Sequence, residues 1–270
     1  MLNVAAIQMV SGTDLKANLD AARGLLAQAA QDGAELAVLP EYFCLMGRRD
    51  SDKLAIREPF GEGAMQRFLS ATARDLKLWI VGGTLPLAAG DDGHVRNSSL
   101  VFSASGGCVA RYDKIHLFRF DNGSERYDES TVIERGGEPV AFDLPAREGR
   151  SWRIGLSVCY DLRFPELYRT LQAEVLLVPS AFTHVTGRAH WELLLRARAV
   201  ENLAYVVAPA QGGLHENGRR TWGHSMIVDP WGKIVRQQEA EGAAVVAGVL
   251  DPALIARMRQ QLPALEHRVL

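Results

Sequence analysis

The sequence predicts an α/β fold in which helices cover the faces of buried strands. Three observations carry this expectation. Short apolar runs of strand length recur along the chain. Segments with apolar residues at helical spacing stand between them. The order β-α-β-α-β in the first third returns in the last third, on either side of a stretch rich in hairpin signals. A chain of 270 residues that is 47% hydrophobic can bury a large core. With no linker, repeat or low-complexity segment, residues 1–270 are expected to form a single layered domain.

Val4 to Val10 reads as an apolar strand. Thr13 or Asp14 can cap the helix that follows, where Leu15, Leu19, Ala22 and Leu26 recur at helical spacing until Gly33. Leu36 to Leu39 is a short buried strand stopped by Pro40, which leaves Glu41 just past a strand end. A second helix runs from Gly63 to Leu76, with Met65, Phe68, Leu69 and Thr72 on one face, and Trp79 to Thr84 forms the next strand. Ser98–Ser103 and Cys108–Tyr112 flank Ser105-Gly106-Gly107 as a hairpin. Asp113 to Glu138 is long, polar and irregular, the kind of loop that often carries function.

Pro139–Leu144 and Trp152–Val158 form a strand pair, so Cys159 follows a strand directly, and Pro165 opens a helix at its first turn. Val175–Val178 is a strand ended by Pro179, Ala189–Asn202 a helix, and Tyr205–Ala208 a strand. Ser225–Val228 and Lys233–Gln237 make a hairpin around Asp229-Pro230-Trp231-Gly232. Val245–Leu250 adds a strand, and Asp251 caps a short last helix.

A formal charge of −2 with scattered Lys and Arg gives no reason to expect nucleic acid or an anionic membrane as partner. No apolar run approaches membrane-spanning length, and the N-terminus lacks the positive leader and cleavage site of a signal peptide. Cys44, Cys108 and Cys159 cannot all pair and fit no zinc module. That usage points to a reducing compartment, hence a cytoplasmic protein, and leaves room for one reactive thiol. His184, His190, His215 and His224 are not spaced as metal ligands and read as packing or rim residues; no metal is expected.

Three strand-end positions stand out: Glu41 in LPEYF, Lys114 in RYDKIHLF and Cys159 in GLSVCYDLRFPE. Ligand sites of α/β sheets lie beyond the carboxyl ends of strands. A thiol, a carboxylate and an ammonium brought together there suit acyl transfer. The Lys and a following helix N-terminus favour thiolate, the carboxylate can carry the proton, and the Lys and the Tyr160 N–H can hold an oxyanion. Taken singly, each has a plainer reading: Cys159 as a small core residue, Glu41 as a loop carboxylate, Lys114 as a surface charge.

Taken with their surroundings, these segments resemble the nitrilase, or carbon–nitrogen hydrolase, superfamily. LPEYF matches its glutamate segment, YDKIHLF its lysine segment and CYDLRFPELYR its cysteine segment, in the family's order and separations, over nearly the whole chain. The resemblance implies a four-layer α-β-β-α sandwich, with Glu41 as general base and acid, Lys114 as stabiliser and Cys159 as nucleophile. It also implies a second glutamate in the loop after the lysine. Glu129 in RYDES best fits that place, with Glu125 and Glu134 nearby. No cofactor is implied. A homodimer formed through outer helices is, with the helix carrying His190, Trp191, Leu194, Leu195 and Ala199 a candidate for the contact.

The second half, with AQGGLH, GHSM and the terminal RQQLPALEHR, is most similar to the deaminated-glutathione amidases, and much of it is shared with omega-amidases. The resemblance implies a small amide of a 2-oxo dicarboxylic acid as substrate. The first expectation is cleavage of deaminated glutathione to 2-oxoglutarate and cysteinylglycine. The alternatives are omega-amidase action on 2-oxoglutaramate or another small amide, or nitrilase- or carbamoylase-type hydrolysis. The HLFRFDNGSERYDES loop departs from the aspartate-valine and proline-glycine pattern of eukaryotic relatives, which bears on substrate choice. Arg163 and Arg119 are candidates for binding substrate carboxylates, and Phe182 and Thr183 for lining the pocket; structural ion pairs are the other reading of the arginines. A Cys-His hydrolase and a non-enzymatic scaffold are the competing hypotheses, while a serine hydrolase lacks its G-x-S-x-G elbow.

Overall fold

The computed structural model describes residues 1–269. In chain order the first half holds β1 (Leu2–Gln8), α1 (Leu15–Gln31), β2 (Leu36–Val38), α2 (Asp52–Ala55), α3 (Ala64–Leu76), β3 (Trp79–Val81), β4 (Leu85–Ala88), β5 (Val95–Phe102) and β6 (Cys108–Asp113). A short hairpin, β7 (Arg119–Asp121) and β8 (Arg126–Asp128), follows. The second half holds β9 (Ala141–Pro145), β10 (Ser151–Leu156), α4 (Pro165–Leu171), β11 (Val175–Leu177), α5 (His184–Asn202), β12 (Tyr205–Ala208), β13 (Gly212–Leu214), β14 (Arg220–Trp222), β15 (Met226–Val228), β16 (Ile234–Gln237), β17 (Ala244–Leu250) and α6 (Pro252–Gln261).

The strands form two main sheets. The first runs β17-β1-β2-β3-β5-β4, with β6 on the free side of β5; the second runs β16-β15-β12-β11-β10-β9. Each is built on three parallel strands, β1-β2-β3 and β10-β11-β12, with antiparallel strands flanking them. Parallel strands need helical crossovers, and the helices cover the outer faces. Strand periodicity shows in the packing. Along β1 and β2, Val4, Ala6, Leu36 and Val38 turn toward the second sheet and share a core with Leu144, Trp152 and Leu156. The intervening Ala5, Ile7 and Ala37 turn outward and pack with Ala22, Leu26, Met65 and Leu69 of α1 and α3. Trp191, Leu195 and Ala199 of α5 close the opposite face. The result is an α-β-β-α sandwich whose strands read as continuous apolar runs because both faces are covered.

Helix starts follow their caps. Asp14 accepts from Ala17 N at 2.7 Å and Asp251 from Ala253 N at 2.8 Å. Thr183 caps α5, which therefore begins five residues before the apolar periodicity of Ala189–Asn202. The unread strands are short or unusual. β4 contains Pro86 and lies at a sheet edge, where a missing N–H is tolerated. The hairpins β7–β8 and β13–β14 have three residues per strand, too few to show a period.

One glycine sets the approach of two strand ends. Gly83 has φ +49°, and a Cβ there would lie 2.0 Å from the Pro40 carbonyl oxygen, next to Glu41. Gly33 also has positive φ but faces open space. Gly83→Ala is expected to destabilise the protein by about 3 kcal/mol, from backbone strain and overpacking together, and Gly33→Ala by about 1 kcal/mol from strain alone. Equal losses in paired denaturant titrations would show that the contact with Pro40 does not matter.

Candidate active site

Three chain segments converge beyond the carboxyl ends of the central strands. Glu41 follows β2 through Leu39 and Pro40, and Tyr42 turns the chain with φ +57°, its N–H donating to Thr84 Oγ1 at 2.9 Å. Lys114 follows β6; its N–H donates to the Asn97 carbonyl at 3.0 Å and its carbonyl accepts from Gly136 N at 2.8 Å. Cys159 stands past β10 with φ +49°, its N–H donating to the Pro179 carbonyl at 3.0 Å. Positive φ is uncommon for residues with a side chain, and Tyr42 and Cys159 both adopt it at this site.

The charged groups form a closed network. Lys114 Nζ donates to Glu41 Oε1 at 2.9 Å and to Glu129 Oε1 and Oε2 at 2.9 and 2.8 Å. Glu41 Oε1 also accepts from Asn97 Nδ2 at 3.0 Å, and its Oε2 accepts from Ala181 N at 3.0 Å. Glu129 accepts from the Tyr42 hydroxyl and from Phe118 N, each at 2.7 Å. Glu41 and Lys114 are both 1% exposed. Charges this deep are tolerable only when paired and hydrogen-bonded, as here. Burial works against the Lys114 ammonium, but Glu129, Glu41 and the Cys159 sulfur outweigh it and hold its pKa above the ordinary value. Burial likewise opposes ionisation of Glu129, yet Lys114 and the Phe118 and Tyr42 donors hold its carboxyl below the usual range. Of the three candidate glutamates Glu125, Glu129 and Glu134, Glu129 is the one bonded to Lys114; Glu134 pairs with Arg96.

Burial first, then the Glu41 carboxylate, push the Cys159 pKa well above its ordinary value, against Lys114 and the Ala181 N–H. The following helix is a 3-10 turn of five residues, Cys159–Arg163, rather than a long helix with a strong dipole. Burial and Glu41 thus favour the protonated thiol over the thiolate. Cys44, also buried, has its thiol pushed up to about 12 by desolvation.

A residue that sequence reasoning passed over ties the cysteine turn to the lysine segment. Asp161 is fully buried. Its Oδ2 accepts from the Tyr112 hydroxyl at 2.6 Å and from Val158 N at 2.8 Å. Its Oδ1 accepts from His116 N at 3.0 Å and lies 2.7 Å from His116 Nδ1. One carboxylate thus clasps residues on both sides of Lys114 to the residue before Cys159. The signal was present in CYDLRFPE, but a carboxylate two residues after a cysteine does not announce that its partners lie some 45 residues away.

A pocket opens over Cys159. Glu41, Glu129, Tyr160, Arg163, Phe182 and Thr183 line it as the sequence expects, although the Thr183 hydroxyl is also engaged as the cap of α5. Lys114 lies behind the wall, reached through Glu41 and Glu129. Arg119 is not brought to the site. Its side chain is 78% exposed on the β7–β8 hairpin, with Asp128 at 3.7 Å, because the hairpin alternates its side chains and turns this one outward. Phe118 and Arg219 line the pocket instead, and neither was anticipated. Among the described residues no group of three or more His, Cys, Asp or Glu is arranged to hold a metal ion.

Residues 3–260 match the model of the carbon-nitrogen hydrolase family. The deaminated glutathione amidase of Synechocystis sp. is 40% identical over 271 residues, covering 98% of this chain and 97% of the relative. The deaminated glutathione amidase of Homo sapiens is 37% identical, covering 98% of this chain and 81% of the relative. Among solved structures, Saccharomyces cerevisiae Nit3, a member of branch 10 of the nitrilase superfamily, superposes with a TM-score of 0.86 at 30% identity, covering all of this chain and 97% of that one. The Caenorhabditis elegans NitFhit protein superposes with a TM-score of 0.87 at 36% identity; the match covers 99% of this chain and 65% of that one.

Two expectations follow from the geometry. Asp161→Asn places an NH2 against groups that already donate, so it should cost about 2 kcal/mol or more in a denaturant titration; a neutral result would show that the clasp is dispensable. Glu41→Gln removes an anion that raises the thiol pKa. Alkylation of Cys159 by iodoacetamide at pH 8 should therefore be faster in this variant than in the parent protein, as read by peptide mass spectrometry. Slower alkylation would contradict the assigned cause of the shift.

Proposed function

The chain belongs to the carbon–nitrogen hydrolase family and is a hydrolase of carbon–nitrogen bonds other than peptide bonds; from that premise we propose that it is a thiol amidase acting on deaminated glutathione, with Cys159 as nucleophile. The observation that carries the reading is the buried Glu41–Lys114–Glu129 network against the pocket over Cys159. Glu41 takes the proton from the thiol, and the thiolate attacks the amide carbonyl carbon. The oxyanion that forms lies in the field of the Lys114 ammonium and beside the Tyr160 N–H. This N–H belongs to the first turn of the 3-10 helix, where no helical carbonyl is available to it. Glu41 passes its proton to the nitrogen as the C–N bond breaks, and the amine leaves. A thioester remains on Cys159. Glu41 next takes a proton from water, whose oxygen attacks the thioester carbon. The acid departs and the sulfur recovers the proton. Glu129 and Tyr42 hold the Lys114 ammonium charged and in place throughout.

The substrate assignment is supported by relatives named deaminated glutathione amidase at 37–40% identity over 98% of the chain. Arg163 supports it chemically. The residue lines the pocket, stacks over the Tyr160 and Phe182 rings, and is suited to a substrate carboxylate. The products would be 2-oxoglutarate and cysteinylglycine. We also assign residues 1–270 to one domain, in line with the family match over 3–260.

We place the protein in the cytoplasm, since Cys44, Cys108 and Cys159 are all free. We assign it a homodimer through α5. The contact face differs from the one the sequence suggested, because Trp191, Leu195 and Ala199 are buried in the protein's own core. Val185, Leu193 and Val200 instead form an exposed apolar stripe, with Leu193 67% exposed.

Cys159→Ala should lower kcat on deaminated glutathione by about 10,000-fold or more, and Lys114→Ala by about 100-fold or more, with unchanged circular dichroism. A Cys159→Ala enzyme with near-normal turnover would sink the mechanism, and a mild Lys114→Ala would favour a histidine-based one. Side-by-side rates on deaminated glutathione and 2-oxoglutaramate distinguish this reading from an omega-amidase. Light scattering of Leu193→Glu should report a monomer's mass where the parent reports a dimer's.

A further inference from the structure

The pocket holds a second guanidinium, and its surroundings differ from those of Arg163. Arg219 sits at the end of the turn joining β13 and β14. This hairpin is fastened on several sides. His215 N–H bonds the Arg219 carbonyl at 2.8 Å, and Asn217 Oδ1 accepts from Arg219 N at 2.9 Å. Asn217 Nδ2 donates to the Gly47 carbonyl at 2.6 Å, and Glu216 accepts from Thr13 and Arg48. The arginine is thus delivered to the pocket wall by a braced backbone. Its side chain passes over the Tyr127 ring at 5.0 Å and makes one long hydrogen bond, Nη2 to the Ala181 carbonyl at 3.4 Å. Its Nε is buried with no hydrogen-bond partner. The neighbouring Arg220 is engaged with Glu241 at 2.6 Å, whereas Arg219 pairs with no carboxylate among the described residues. A buried cationic donor left open is costly unless something arrives to fill it.

The position decides what arrives. Ala181 is bonded on both sides of its backbone: its N–H donates to Glu41 Oε2 at 3.0 Å and its carbonyl accepts from Arg219. Arg219 therefore stands one residue's width from the carboxylate that hands a proton to the departing nitrogen. Arg163 stands elsewhere on the wall, over Tyr160 and Phe182, with His190 Nδ1 3.3 Å from its guanidinium. We infer that Arg219 is the anchor for an anionic group on the leaving side of the scissile amide. By this residue the site selects amides whose nitrogen substituent carries a carboxylate. The assignment rests on the amidase reading above, which places the leaving nitrogen at Glu41.

Three substrates test it: deaminated glutathione, its analogue with the terminal glycine carboxylate converted to a carboxamide, and 2-oxoglutaramate, which has no nitrogen substituent. In the parent enzyme kcat/KM should favour the carboxylate over the carboxamide by about tenfold or more, as for one charged hydrogen bond in a desolvated site. Arg219→Leu should bring that ratio to about 1, and Arg219→Lys should restore part of it, which loss of fold would not do. A parent enzyme that does not distinguish the two, or an Arg219→Leu enzyme that keeps the ratio, overturns the assignment. Inertness of the parent toward all three would instead count against the amidase reading. In that event calorimetry with the Cys159→Ala protein reads Arg219 alone. Tighter binding of the carboxylate form that disappears in Cys159→Ala/Arg219→Leu supports the anchor, and equal binding of the two forms overturns it.

Discussion

Everything at this site depends on keeping one ammonium between two carboxylates out of water. Lys114 lies between Glu41 and Glu129, with Lys114 and Glu41 buried and Glu129 at the pocket wall, and the buried charges could not be there alone. An isolated ion in such surroundings would neutralise or drag water in; a hydrogen-bonded trio does neither. The requirement reaches outward. The three residues come from the end of β2, the end of β6 and the turn after β8, so the first sheet and its long loop must be in register before the trio closes. Asn97, Tyr42, Phe118 and Ala181 then occupy the remaining lone pairs. With so many partners fixed, the Glu41 carboxylate is oriented before any substrate arrives, the condition under which electrostatic groups are most effective.

The second sheet supplies what the first lacks. Cys159 follows β10 and Ala181 follows β11, so the sulfur and the amide that steadies Glu41 belong to the other half of the sandwich. The site is a seam between two similar β-α-β-α-β units, and Asp161 is the stitch that fixes its width. Without that stitch the turn bearing Cys159 and the strand end bearing Lys114 would be related only through general packing.

Much of this was legible in the residues, and the exceptions have physical reasons. Buried parallel strands are short apolar runs bounded by Pro and Gly, so β1, β2, β10, β11 and β12 stand out. So do helices with capped starts such as α1 and α6. The Glu, Lys and Cys segments were legible because strand-end placement and specific flanking residues reinforced each other. What remained hidden depended on partners distant in sequence. Asp161 looks like any polar residue until Tyr112 and His116 meet it. Arg219 lies in a hairpin with too few residues per strand to show a pattern. Arg119 and Arg163 looked equally apt by location, and only the pleat of β7–β8 separates the outward one from the inward one. The depth at which the Cys159 sulfur is buried, which raises its pKa, is likewise a property of the fold and not of the flanking residues.

That raised pKa has a consequence for durability. Peroxides, disulfides and electrophilic metabolites attack thiolates far faster than thiols. A sulfur that burial and Glu41 bias toward its protonated form is therefore a poorer target than a thiolate, while Cys108 lies exposed at the sheet edge. The same wall that raises the thiol pKa thus also covers the sulfur.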